Sequence, residues 1–367
     1  MAPDLSAQLT AIWVRVLQKD DIQPDADFFE DLGGDSLMAV GLFLEIERAL
    51  GVKLPITAIY DARTVDAQAQ LVAGEMEPVF SHLVKLKEGD ESKPFFIVHG
   101  VGGTVMELAP LGAAMNTPRA VYAIQAQGLD GSSPPLDTIP AMAQRYVAVL
   151  REIQLRGPYA LGGYSFGGLV ALEMARLLDP CEVSHLVMID AFAHPNTWPT
   201  AIKLMVRARR TLRRPPKQSL AVLRAKLRSL AARKSAAERT AERAAYVNNW
   251  LGAADPNLPA ALRETRIAGD AALLAYKPGP YRGRVDFIRA RRPGSIFPPL
   301  PRMVWGPLVA QLEIQSTTGD HRSILGPHAE ELAGRISAIL DGHPAKSRAR
   351  PKTGRLAAML QPQAQFR

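Results

Sequence analysis

Two serines in this chain stand where a hydroxyl group can do chemistry. Ser165 lies in "YALGGYSFGGLV", with the spacing Gly163-x-Ser165-x-Gly167 and further glycines at 162 and 168. The run before it reads as a short strand and the run after it as a helix, so the serine occupies a strand–turn–helix corner. A corner this sharp brings together the residues two places either side of the serine, and glycine leaves room there because it has no Cβ. The following helix directs its free N–H groups and positive end toward the place where an oxyanion would develop. A serine hydroxyl is a poor nucleophile until a base removes its proton. "TTGDHRSIL" supplies such a base in His321, on a polar loop between the last strand and the last helix. His328 on that helix and His194 further upstream read as surface residues, and His99 as a structural one.

A third group must hold the imidazole in one tautomer and stabilise its charged form. Asp190 ends "SHLVMID", the strand directly after the helix that follows Ser165. The rival position, the end of the later strand "VDFIRARRP", carries Ala290, Arg291 and Arg292 instead of an acid. Asp286 falls in the middle of that strand, and Asp320 adjoins the histidine without a route to its far nitrogen. Asp190 is therefore the acid of choice. The order Ser165, Asp190, His321 along the chain is that of α/β-hydrolases. Backbone N–H groups of Phe166 and of Val101, in "HGVGG", are the candidate oxyanion donors.

The second serine is Ser36, in "FFEDLGGDSLMAV". Leu37, Val40 and Leu44 recur at helical spacing after it, and Asp35 suits the N-cap, so Ser36 opens a helix without being needed to cap it. Around it, residues 1–76 read as a small all-α bundle of four helical elements. The first is amphipathic over residues 4–18, and the last is opened by Thr64 and closed by Gly74. Glu77-Pro78 marks the boundary. Beyond it, "FFIVHG", "AVYAIQA", "YALGG" and "VSHLVMI" alternate with helical runs, which predicts a mostly parallel sheet with helices on both faces over residues 77–342. Residues 192–280 break the alternation with long Ala/Arg/Lys helices and read as a helical lid insertion. Residues 343–367 read as a basic, disordered tail.

The chain has 367 residues, a formal charge of +8 and one cysteine, Cys181, which leaves no internal disulfide framework. No cluster of Cys, His and carboxylates has metal-ligand spacing, so no metal is expected. No run of about eighteen apolar residues exists to span a bilayer. The N-terminus lacks a signal-peptide pattern, and the expected location is cytoplasmic. Residues 1–76 carry 13 acidic and 5 basic side chains, so the remainder carries +16. Arg207, Arg213, Arg224 and Arg228 of the lid are candidate docking cations for the acidic bundle. No nucleic-acid-binding motif accompanies the basic stretches.

Taken together, these residues resemble a carrier domain joined to a terminal thioesterase, as at the end of nonribosomal peptide synthetases. "DFFEDLGGDSLMAV" is similar to the carrier signature, and the resemblance implies that Ser36 bears a covalent 4′-phosphopantetheine. "VHGVGG", "GGYSFGG", "MIDA" and "GDH" resemble thioesterase signatures. Gly100 stands where this family more often has proline. The resemblance implies that an acyl or peptidyl thioester passes from the arm to Ser165 and leaves by hydrolysis, cyclisation or aminolysis. It further implies a phosphopantetheinyl transferase as partner. Upstream synthetase modules, with condensation and adenylation domains or a ketosynthase, would act in trans. An editing thioesterase that clears misloaded carriers and a non-catalytic carrier module are the alternative readings.

Overall fold

The structure, a computed structural model, describes residues 5–29, 31–34, 36–76, 80–198, 200–212, 258–292 and 300–342. The boundary at Glu77-Pro78, Asp35, most of the lid between 213 and 257, and the tail from 343 lie outside the described residues.

Among its described residues the N-terminal unit contains three α-helices, α1 (Leu5–Leu17), α2 (Ser36–Leu50) and α3 (Val65–Ala73). The third expected helical element is a single 3-10 turn, Ile56–Ile59, begun by Pro55, which has no N–H to contribute to a longer helix. Helix α1 buries Leu9, Ile12, Trp13 and Leu17 on one face, as their spacing requires. Trp13 packs edge-on against Phe28 and donates its indole N–H to Gln68 across 2.9 Å, so the one buried polar pair in this contact is satisfied. Thr64 caps α3 by accepting the N–H of Ala67, and Gly74 ends it in the left-handed conformation.

Among the described residues seven strands follow: β1 (Leu83–Lys87), β2 (Asp90–Val98), β3 (Arg119–Ile124), β4 (Tyr159–Tyr164), β5 (Val183–Ile189), β6 (Tyr281–Arg292) and β7 (Val309–Asp320). Their spatial order is β1-β3-β2-β4-β5-β6-β7. Among these described strands the edge pair β1/β3 is antiparallel and the other pairings are parallel. The strands are apolar on both faces because both are covered. Phe96, Val98, Leu161 and Met188 join helices α5 (Ile139–Ile153) and α6 (Phe166–Leu177) in one core. Phe95, Ile97, Ala160 and Val187 face the other way, toward α4 (Ala109–Ala114) and the final helix (Ala329–Leu340).

Between β5 and β6 the described part of the insertion is helical. It comprises α7 (Thr200–Leu212) and α8 (Ala260–Ala275). A short helix, α9 (Pro301–Trp305), precedes β7, and the final helix is α10 (Ala329–Leu340). No described helix is long and apolar enough to cross a membrane. The two units touch: Met106, Ala126, Leu129 and Leu262 belong to the same apolar cluster as the core of the N-terminal helices.

Candidate active site

Ser165 occupies the corner between β4 and α6, with φ +53° and ψ −114°. A non-glycine residue held there costs about 1–3 kcal/mol, which the surroundings must offset. Its N–H donates to the Ile189 carbonyl at 2.8 Å, tying the corner to the end of β5. A Cβ on Gly163 would lie 2.2 Å from the Gly167 carbonyl group, so the two glycines of the motif touch backbone to backbone.

Asp190, the residue after β5, also has a positive φ, +46°, and is 2% exposed. One carboxylate oxygen accepts the N–H of Ala290 at 3.1 Å; the other lies 2.8 Å from His321 Nδ1. The Asp190 N–H donates to the Ile288 carbonyl at 2.7 Å. The end of β6 therefore supplies backbone that clamps this acid, and no acid of its own. Asp286 is buried and paired with Arg284 at 2.7 Å. Asp320 accepts N–H bonds from Arg322 and Ser323, which hold its carboxyl below the usual range and shape the turn carrying His321. The Trp305 indole N–H, donating to the Ala191 carbonyl at 3.1 Å, anchors the chain just past Asp190.

His321 and Ser165 line one cavity together with Phe166 and Val101. Tyr164 supports the histidine from behind, its ring stacked at 5.0 Å and its hydroxyl donating to the His321 carbonyl. Nothing in the spacing of the sequence marks Tyr164 for this task, beyond its place beside Ser165. His99 is fully enclosed. Its Nδ1 holds the Gly100 carbonyl, its Nε2 takes the Tyr146 hydroxyl at 2.7 Å, and burial lowers its pKa to about 4. His328 is half-buried and precedes α10. His194 is buried, not on the surface as its sequence suggests. The segment behind β5 folds back so that Trp198 enters the core and both the N–H and hydroxyl of Thr197 bond the His194 carbonyl. Cys181 is exposed in a turn beside Asp179.

The cavity has a volume of about 1260 Å³ and is walled from both units. Phe29, Gly33, Gly34, Tyr60 and Arg63 of the helical unit face it opposite Ser165 and His321. Ser36, two residues past Gly34, is the first residue of α2; its side chain lies outside the described residues. A flexible arm attached at this helix start fits the arrangement, because one continuous space joins the glycines before Ser36 to Ser165. Glu107 is a wall residue that motif reading does not find. It opens onto the cavity, while protein packed around it pushes its carboxyl above the ordinary range, against the opposing effects of the Gly100 N–H, His321 and Arg266. The Tyr60 hydroxyl is buried without a hydrogen-bond partner, and that burial raises its pKa. The lid cations Arg213, Arg224 and Arg228, and the side chain of Arg207, lie outside the described residues. Among the described residues no group of His, Cys, Asp and Glu could hold a metal ion.

Residues 93–340 match a family model described as a thioesterase domain, and residues 7–72 match one described as a phosphopantetheine attachment site. The chain is 35% identical over 185 residues to the indigoidine synthase of Streptomyces lavendulae, a match covering 50% of this chain and 14% of that protein. It is 30% identical over 355 residues to a dimodular nonribosomal peptide synthase of Bacillus subtilis, covering 92% of this chain and 15% of that protein. The chain thus spans a small fraction of the length of these relatives. A crystal structure of a holo four-domain nonribosomal peptide synthetase bound to AMP and glycine aligns with a TM-score of 0.54 and 25% identity, over 92% of this chain and 26% of that one.

Proposed function

The chain belongs to the thioesterase domain family, and because a phosphopantetheine attachment domain precedes that part of the polypeptide, we propose that it unloads its own carrier. In this reading Ser36 bears the covalent 4′-phosphopantetheine, and the cargo is the acyl or peptidyl chain of a nonribosomal peptide synthesis. The observation that carries the reading is the shared cavity: Gly33 and Gly34 beside Ser36 face the same space as Ser165 and His321.

The arm, when bound, supplies the acyl group as a thioester. His321 takes the proton of Ser165 as its oxygen attacks the carbonyl carbon. Asp190, bonded to His321 Nδ1, fixes the tautomer in which Nε2 is the accepting nitrogen, and it stabilises the imidazolium that forms. The N–H groups of Phe166 and Val101 take the negative oxygen. Gly100 O lies in the same peptide plane as the Val101 N–H and points the opposite way. Gly100 O accepts the Gly103 N–H at 3.1 Å and is held by His99, so the Val101 N–H is turned away from them. His321 would then return that proton to the leaving sulfur, so that the arm would depart as its thiol and the acyl group would stay on Ser165 as an ester. A second nucleophile, water or a hydroxyl or amine, repeats the sequence and frees Ser165. A phosphopantetheinyl transferase and upstream synthetase modules complete the cycle.

The test is intact-protein mass spectrometry after loading with an acyl-coenzyme A and a promiscuous phosphopantetheinyl transferase. The wild type gains the acylated arm and returns to the mass of the unacylated form. Ser165→Ala keeps the acylated mass, and Ser36→Ala gains none. Release from Ser165→Ala at the wild-type rate would overturn the reading.

A further inference from the structure

The loop Gly100–Gly103 that carries the Val101 N–H is braced from outside by helix α8 (Ala260–Ala275). Thr265 and Gly269, four residues apart, lie on one face of that helix. A Cβ on Gly269 would sit 2.7 Å from the Val101 carbonyl oxygen and 3.3 Å from its Cγ2, so the helix backbone rests directly against Val101. A Cβ on Gly103 would sit 2.5 Å from Thr265 Cγ2, so the threonine methyl group occupies the space over that glycine, whose φ is +86°. Arg266 of the same helix lines the cavity near Glu107, and the Glu107 carboxyl sits so close to Gly100 that a Cβ there would collide with its Oε1. The peptide units on both sides of the oxyanion donor are thereby held, one by Glu107 and one by α8.

We propose that Gly269 and Thr265 are positioning residues for the oxyanion hole: the insertion helix sets where the Val101 N–H points. Neither touches the reacting atoms. The proposal goes beyond the function above but rests on Ser165 being the nucleophile and Val101 an oxyanion donor. A side chain at 269 forces the Val101 carbonyl to move by several tenths of an ångström. That movement tilts a donor whose complete removal costs about 100-fold to 1000-fold in comparable sites.

An alkyl fluorophosphonate tests this on the whole 367-residue chain. The Ser165 oxygen forms a bond to phosphorus, the P–F bond breaks, fluoride leaves, and the serine proton passes to His321. The phosphoryl oxygen takes the oxyanion position. Labelling is followed by intact-protein mass spectrometry across probe concentrations, with circular dichroism to check folding. For Gly269→Ala the maximal labelling rate should fall at least about tenfold while the half-saturating concentration stays within about threefold, because the defect is in transition-state stabilisation. Thr265→Ser, which removes only the methyl group over Gly103, should fall in the same direction by a smaller factor. Ile267→Ala, on the exposed side of α8, should label like the wild type. A wild-type maximal rate in folded Gly269→Ala overturns the brace. If that variant does not fold, a wild-type rate in Thr265→Ser overturns it. A wild type that takes no label at Ser165 instead removes the function on which the brace rests, so the two failures are distinguishable.

Discussion

Asp190 is the residue on which two structural features meet: its φ is strained, and its carboxyl group is 2% exposed. A buried carboxylate must be paired or hydrogen-bonded, and the Ala290 N–H and His321 meet that need. Asp190→Asn keeps the shape but favours the wrong imidazole tautomer. The expected result is a fall in kcat of about a thousandfold or more with little change in KM, measured on an acyl N-acetylcysteamine thioester. His99 offers a second residue-level test. Its folded pKa of about 4 lies below the 6.5 of an ordinary histidine, so the unfolded chain binds the proton first as the pH falls. Stability contributed by neutral His99 is fully present above pH 6.5, is lost on going down toward pH 4, and levels off below. The loss is about 3 kcal/mol for a shift of this size. Urea unfolding at several pH values would show it, and an identical pH slope in His99→Gln would rule His99 out as its source.

The β4–α6 corner is an element defined by contact distances. Gly163→Ala drives a Cβ to 2.2 Å from backbone that cannot yield, unlike the end of a flexible side chain. The substitution should cost more than about 2 kcal/mol, since overpacking and forced backbone movement add. Thermal unfolding that leaves the midpoint in place would show that the corner can open. At the other end of the chain, Thr64→Ala removes the cap of α3. It should cost about 1 kcal/mol, confined to the helical unit and visible as faster amide exchange there. The two substitutions differ because one breaks packing that spans the sheet, and the other frees one half-buried helix end.

Between the two units the described contact is apolar. Tyr60 packs on the helical core and also against the cluster under β1 and α4, while Met106 and Leu262 join the helical core from the other side. Tyr60→Ala should therefore slow release of an acyl group tethered to the same chain at least tenfold more than it slows turnover of a free thioester. Equal losses on both substrates would show that Tyr60 acts on the chamber and not on docking. Apolar contacts are only weakly screened by salt. The single-turnover release rate should change less than about twofold between 50 and 300 mM salt if this contact governs encounter, whereas steering by the acidic and basic segments would give a steep decline. Leu262 lies on α8, so the helix that rests on Val101 also bears part of the docked unit.

The candidate residues Ser165, His321 and Asp190 can be picked out along the chain because their local demands are severe. A sharp corner excludes side larger than hydrogen at 163 and 167, and a strand end followed by a polar loop is where a parallel sheet exposes functional groups. The parallel sheet was legible for a related reason, since strands covered on both faces must be apolar at successive positions. Burial of His194, the Tyr164 support beneath His321, the Glu107 carboxyl at Gly100 and the seat of α8 on Val101 had no such local signature. Each depends on which segments the fold brings together across long stretches of chain: Glu107 and Arg266 are neighbours because the insertion helix returns over the Gly100–Gly103 loop. Local sterics and periodicity act through adjacent residues and can be read in order, whereas electrostatic pairing and close packing act through space and were decided only when the chain closed on itself.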